Sequence, residues 1–170
     1  MNCRAKAVLI LLFTVGMVAC AQSPKGQQSP AQQTQARGYW VDPSTGLMWT
    51  AKDNGQNITW RQAVKYCRKL RVAGHSDWRL PTIDELQGVY DGSGFNVPPL
   101  HKGDVPVLAG KAKGDLLLTG TFEWSSSRVF IDRRRTGYAW QFEFPNGRRW
   151  HEQLGYNVGK RALCVRRAGE

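Results

Sequence analysis

Acidic residues are scarce in this chain: 13 Asp and Glu stand against 24 Lys and Arg, a formal net charge of +11. Calcium takes six or more oxygen ligands, usually several of them carboxylates, and the sequence shows no such cluster. Histidine is scarcer still. His75, His101 and His151 lie far apart, and neither His-x-x-x-His nor Cys-x-x-Cys spacing is present for zinc. A Gly-x-Ser-x-Gly nucleophile elbow is missing as well. These absences point away from a metal site, a cofactor or catalysis. They also leave no apolar run of the about 20 residues that a membrane-spanning helix needs.

What is present begins with an export signature. Met1 to Lys6 is short and basic, and Ala7 to Ala19 is apolar over roughly 13 residues. Residues 1–20 therefore read as a signal peptide. Two cleavage modes fit. Ala19-Cys20-Ala21 suits ordinary cleavage, whereas Met17-Val18-Ala19-Cys20 resembles a lipobox in which Cys20 is lipidated. The second is preferred, because residues 21–37, rich in Gln, Ser, Pro and Ala, read as a disordered tether. The expected location is outside the cytoplasm, as an outer-membrane lipoprotein anchored through that lipid or as a periplasmic or secreted protein. Residues 38–170 then form one domain.

With Cys3 in the signal and Cys20 at the anchor, Cys67 and Cys164 remain as one pair for an oxidising compartment. The alternative is two separate buried thiols. An exported basic protein meets no cytoplasmic nucleic acid. The polyanions open to it are lipopolysaccharide, anionic lipids and acidic or sulfated glycans.

Within the domain, Tyr39 to Val41 and Leu47 to Trp49 flank an Asp-Pro-Ser-Thr-Gly turn and read as a hairpin. Thr59-Trp60-Arg61-Gln62 is a capping box. It opens an amphipathic helix with Ala63, Cys67 and Leu70 on the inner face and Arg61, Lys65, Arg68 and Lys69 outside. Thr82-Ile83-Asp84-Glu85 opens a second, shorter helix. Gly94 to Asp115 is expected to be an irregular loop. From Phe122 onward the pattern is strands, with a hairpin turn at Pro145-Asn146-Gly147 and a last strand at Ala162 to Arg166. The fold class is α+β, two helices packed on short antiparallel sheets.

Several segments carry a resemblance. They are Thr45-Gly46-Leu47-Met48-Trp49, Trp60 to Cys67, Asp77-Trp78-Arg79-Leu80-Pro81-Thr82 with Glu85-Leu86, Trp124-Ser125-Ser126-Ser127, and Cys164-Val165-Arg166. The series resembles the bacterial domain at the C-terminus of the Legionella collagen-like adhesin, over about Tyr39 to Arg167. That resemblance implies a C-type-lectin-like fold, in which a Cys67–Cys164 link would match the bridge from helix to last strand. It also implies an association with sulfated polysaccharides. The chain departs from the adhesin in lacking a Gly-x-y region, so trimerisation through such a stalk is not implied. Calcium-dependent sugar binding is not implied either: Phe144-Pro145-Asn146 lacks the glutamate of the Glu-Pro-Asn triplet.

The candidate binding residues are basic. Arg133, Arg134, Arg135, Arg148, Arg149, Lys160 and Arg161 are offered as an anion-binding surface, with Trp150 as an exposed aromatic beside them. Arginine makes bidentate contacts to sulfate, phosphate and carboxylate; the alternative is a solvated face that keeps the protein soluble. Trp49, Trp60, Trp78, Trp124 and Trp140 read as core, and Arg79 as pinning loop carbonyls. The expected function is an envelope module that binds anionic polysaccharide or lipid headgroups. The other reading is a structural module that binds an envelope protein partner through the Gly94–Asp115 loop.

Overall fold

The computed structural model describes residues 28–96 and 109–169. The signal peptide, Cys20 and the middle of the Gly94–Asp115 loop lie outside the described residues.

Part of the segment expected to be a disordered tether is helical. Pro30–Arg37 forms a helix, α1, capped by Ser29 in a reciprocal box with Gln32 and closed by Gly38 at φ 78°. Gln35 donates to the Ala51 and Asp115 carbonyls, which docks α1 on the domain.

Strand β1 (Tyr39–Val41) and β2 (Leu47–Thr50) form the expected hairpin. Asp42 organises its turn, accepting from the Ser44 amide and hydroxyl and from the Thr45 hydroxyl. Burial pushes the Asp42 carboxyl up, but these donors together bring it below its ordinary value. The last strand, β9 (Val165–Arg167), pairs antiparallel with the other edge of β2. Both ends of the domain thus meet in one three-stranded sheet.

Helix α2 (Trp60–Lys69) and helix α3 (Ile83–Val89) start at Thr59 and Thr82, each with a complete capping box. Where an irregular loop was expected, β3 (Tyr90–Asn96) pairs with β4 (Ala109–Ala112), and a single 3-10 turn follows at Lys113–Asp115. Gly114 at φ 70° lies against Trp40, where any Cβ would overlap the indole. The second sheet runs β7 (Arg148–Gln153), β6 (Arg134–Glu143), β5 (Phe122–Ile131), β8 (Lys160–Arg161), with only β8 parallel to its neighbour.

Alternation along the strands divides the interior in two. Trp49, Phe142, Leu163 and Val165 join α3 residues Ile83, Leu86 and Val89 in one core. Met48, Trp124, Ala139, Ala162 and Cys164 join Ala63 and Cys67 of α2 in the other. Successive residues such as Met48 and Trp49, or Cys164 and Val165, enter opposite cores. Cys67 and Cys164 are disulfide-bonded, with Cα atoms 5.5 Å apart, tying α2 to the residue just before β9.

Candidate functional site

Strands β5 and β6 outrun their neighbours. β8 pairs with β5 only at Phe122 and Glu123, and β7 pairs with β6 only from Tyr138 to Glu143. The remainder, closed by the pairs Phe130 with Arg135 and Ile131 with Arg134, is a two-stranded arm. From Tyr138 to Arg134 it reaches about 13 Å beyond the last β7 pairing, at about 3.3 Å per residue.

Its tip is the two-residue turn Asp132-Arg133, with φ of 47° and 63°. Two successive left-handed residues make a type I′ turn, whose twist suits a hairpin. The arm is braced below the tip. The Arg128 guanidinium donates to the Tyr138 and Thr136 carbonyls and lies 4.9 Å from the Trp60 ring centre on α2. The Thr136 hydroxyl donates to the Val129 carbonyl at 2.9 Å. Phe130 through Arg135 are six consecutive exposed residues. An open groove of about 550 Å³ runs beside the tip, lined by Ile131, Asp132, Arg134, Arg135 and Thr136.

The candidate basic residues do not form one surface. Arg133, Arg134 and Arg135 share the arm tip. Arg148 and Arg149 sit at the far end of the same sheet, opposite Glu143 and Phe142. Seven positions along β6 separate Arg135 from Phe142, about 23 Å. Arg149 is also engaged, donating to Asp84 at 2.7 Å and to Gln87 on α3. Trp150 is exposed as expected, and its indole N–H donates to Glu143.

Lys160 is a correction. Its side chain is 3 % exposed, with Nζ 3.8 Å from the Phe122 ring centre and 5.3 Å from that of Tyr156. Burial lowers its ammonium pKa against the opposing pull of Glu152 and Glu143. A lysine folded over an aromatic ring is not part of an open anion surface. Arg161 is likewise turned to its own domain: it donates to Asn57, Thr119 and the Lys160 carbonyl.

Arg79 also differs from expectation. It makes two contacts with Glu85, at 2.8 and 2.6 Å, and reaches the Leu80 carbonyl only at 3.5 Å. Burial raises the Glu85 carboxyl, but Arg79 and the Thr82 amide outweigh it and hold the group below its ordinary value. The Arg79 backbone pairs both ways with Val165, joining the Trp78–Pro81 run to the last strand. Trp49, Trp78 and Trp124 are buried, while Trp60 and Trp140 are only partly covered.

The two residues missed by sequence reasoning are Phe130 and Ile131, 54 % and 64 % exposed. The signal was legible as Val129-Phe130-Ile131, an apolar run without alternation, separated from the arginines only by Asp132. A second groove of about 390 Å³ follows α2, lined by Gln62, Lys65, Tyr66, Lys69, Leu70 and Arg71, so the basic helix face is a separate surface.

Residues 38–166 match the Lcl C-terminal domain. This chain belongs to that family. The match covers most of the chain, from the Gly38 cap of α1 to Arg166 in β9. The Lcl C-terminal domain family points to an adhesin-like module. No curated protein matches this chain. Among the described residues of this Lcl C-terminal domain, no three His, Cys, Asp or Glu side chains gather as metal ligands, and no helix is long and apolar enough to cross a membrane.

Proposed function

We propose that this protein is an exported, non-catalytic binding module of the cell envelope whose β5–β6 arm engages anionic groups, the sulfates of polysaccharides or the phosphates of lipid headgroups. The observation that carries this reading is the arm tip: Arg133, Arg134 and Arg135 stand exposed on a braced hairpin that projects from the sheet. Arg148 adds charge at the opposite end of the sheet, and Lys160 and Arg161 take no part. Holding the arginines on a preformed turn lowers the ordering cost of binding. The Cys67–Cys164 bridge and the two helices between paired end strands support a C-type-lectin-like plan for the scaffold.

The test is binding to heparin and to lipopolysaccharide across a salt series, beside an Arg133/Arg134/Arg135→Ala variant. Neutralising a polyanion releases counterions, so affinity falls with salt, and each arginine lost flattens the log–log slope by about one unit. Parallel slopes for the two proteins would place the contact elsewhere. Absence of binding at low salt would remove the reading.

A further inference from the structure

The arm tip carries more than charge. Phe130 pairs with Arg135 and Ile131 with Arg134, and cross-strand partners share a face. Each face of the ribbon therefore shows one large apolar side chain beside one arginine, with Arg133 at the apex. A flat partner surface would cover one face and leave the other side's apolar residue in water. A sulfated glycan can stack on Phe130 but offers Ile131 nothing apolar. The surroundings that cover both faces at once are those that enclose the tip end-on. The interface of a bilayer does this: its acyl boundary takes up the apolar side chains, while arginines extend to the phosphates.

We propose that the β5–β6 arm inserts end-on into an anionic lipid surface, with Phe130 and Ile131 entering the acyl boundary and Arg133, Arg134 and Arg135 binding lipid phosphates. This rests on the anion-binding reading above and names the lipid surface as the ligand. Charge complementarity supports it: the tip from Phe130 to Arg135 holds three arginines against the single carboxylate of Asp132. Bracing by Arg128 and Thr136 keeps the ribbon extended, so the tip arrives already ordered.

The test uses the full chain with Cys3→Ser, Cys20→Ser and Ile131→Cys, which leaves one free thiol beside the Cys67–Cys164 bridge. That thiol carries an environment-sensitive dye, which reports position 131 whatever the N-terminal segment does. Vesicles containing phosphatidylglycerol are expected to blue-shift and brighten the dye, and pure phosphatidylcholine vesicles are not. Adding Phe130→Ser should weaken the vesicle response about tenfold. This follows from the roughly 1.4 kcal/mol lost on removing a half-exposed aromatic from an apolar medium. Arg133/Arg134/Arg135→Ala should weaken it about fivefold per arginine. No dye response on anionic vesicles overturns the insertion, as does an equal response on neutral ones. If heparin still binds in that case, the anion-binding reading survives without the lipid. If neither is bound, both fail.

Discussion

Arg133 occupies a conformation that suits glycine, and replacing it separates stability from binding. Its φ of 63° puts it in the left-handed region, where an L side chain costs roughly 1–2 kcal/mol. Glycine removes that strain but is freer in the unfolded chain, which returns about 0.5–1 kcal/mol. Arg133→Gly should therefore stabilise the domain by about 0.5–1 kcal/mol, which at this size raises Tm by about 2–5 °C. The same change removes one of three tip arginines and should weaken polyanion binding. Arg133→Ala should lose the same affinity but gain no stability, because alanine keeps the Cβ that creates the strain. The assay is thermal and urea unfolding of the three proteins, with heparin titrations on the same samples. Equal Tm values for the glycine and alanine variants would refute the strain argument. Equal heparin affinities for wild type and Arg133→Gly would refute the role of this side chain.

Breaking the disulfide by Cys67→Ala with Cys164→Ala should destabilise by about 4–5 kcal/mol in the chain-entropy account, since the bridge spans 97 residues; urea unfolding reads it directly. Glu123 is fully buried, and burial first, then the neighbouring Asp53 charge and a side-chain hydrogen bond to Asp53, push its carboxyl well above the ordinary value of 4.5. A raised folded value means that the stability linked to its proton is complete below the ordinary value and is lost as pH rises through the folded one. Glu123→Gln should therefore gain stability over wild type as pH increases from 4 toward 8, with the two nearly equal at pH 4. Parallel Tm–pH curves for the two would count against a buried proton at Glu123.

What could be read from the sequence was local. Thr59 with Gln62 and Thr82 with Glu85 sit three residues apart, and that spacing alone decides where α2 and α3 begin. The turn at Asp42 to Gly46 and the exposure of Trp150 are similarly short-range. Cys67 and Cys164 could be paired by counting once Cys3 and Cys20 were assigned to the expected signal peptide and anchor. The misses were tertiary. Lys160 looks like a surface cation beside Arg161 until the parallel pairing of β8 brings Phe122 beneath it. The burial of Arg166, 2 % exposed, is also tertiary: Asp77, 89 positions earlier, holds it at 2.7 Å. The run Arg133 to Arg135 and the pair Arg148-Arg149 look like neighbours in sequence, but the hairpin sends them to opposite ends of one strand pair. α1 was missed differently: its Gln-rich composition reads as disorder, while the Ser29–Gln32 box and Gly38 were legible by the same capping logic that found the other helices.

The bridge between α2 and the residue before β9 also determines how the domain carries force. Suppose the chain is held at its N-terminal side while the arm grips a surface. Tension then enters at β1 and leaves through β5 and β6. The covalent route between these points can cross from Cys67 to Cys164 and return along β8 and β7 to the arm. α3, β3 and β4 hang on the slack branch. These elements can open under strain without lengthening the link between anchor and grip. α1 and the β1–β2 hairpin lie on the N-terminal side of the bridge, so they bear the load before the covalent link does.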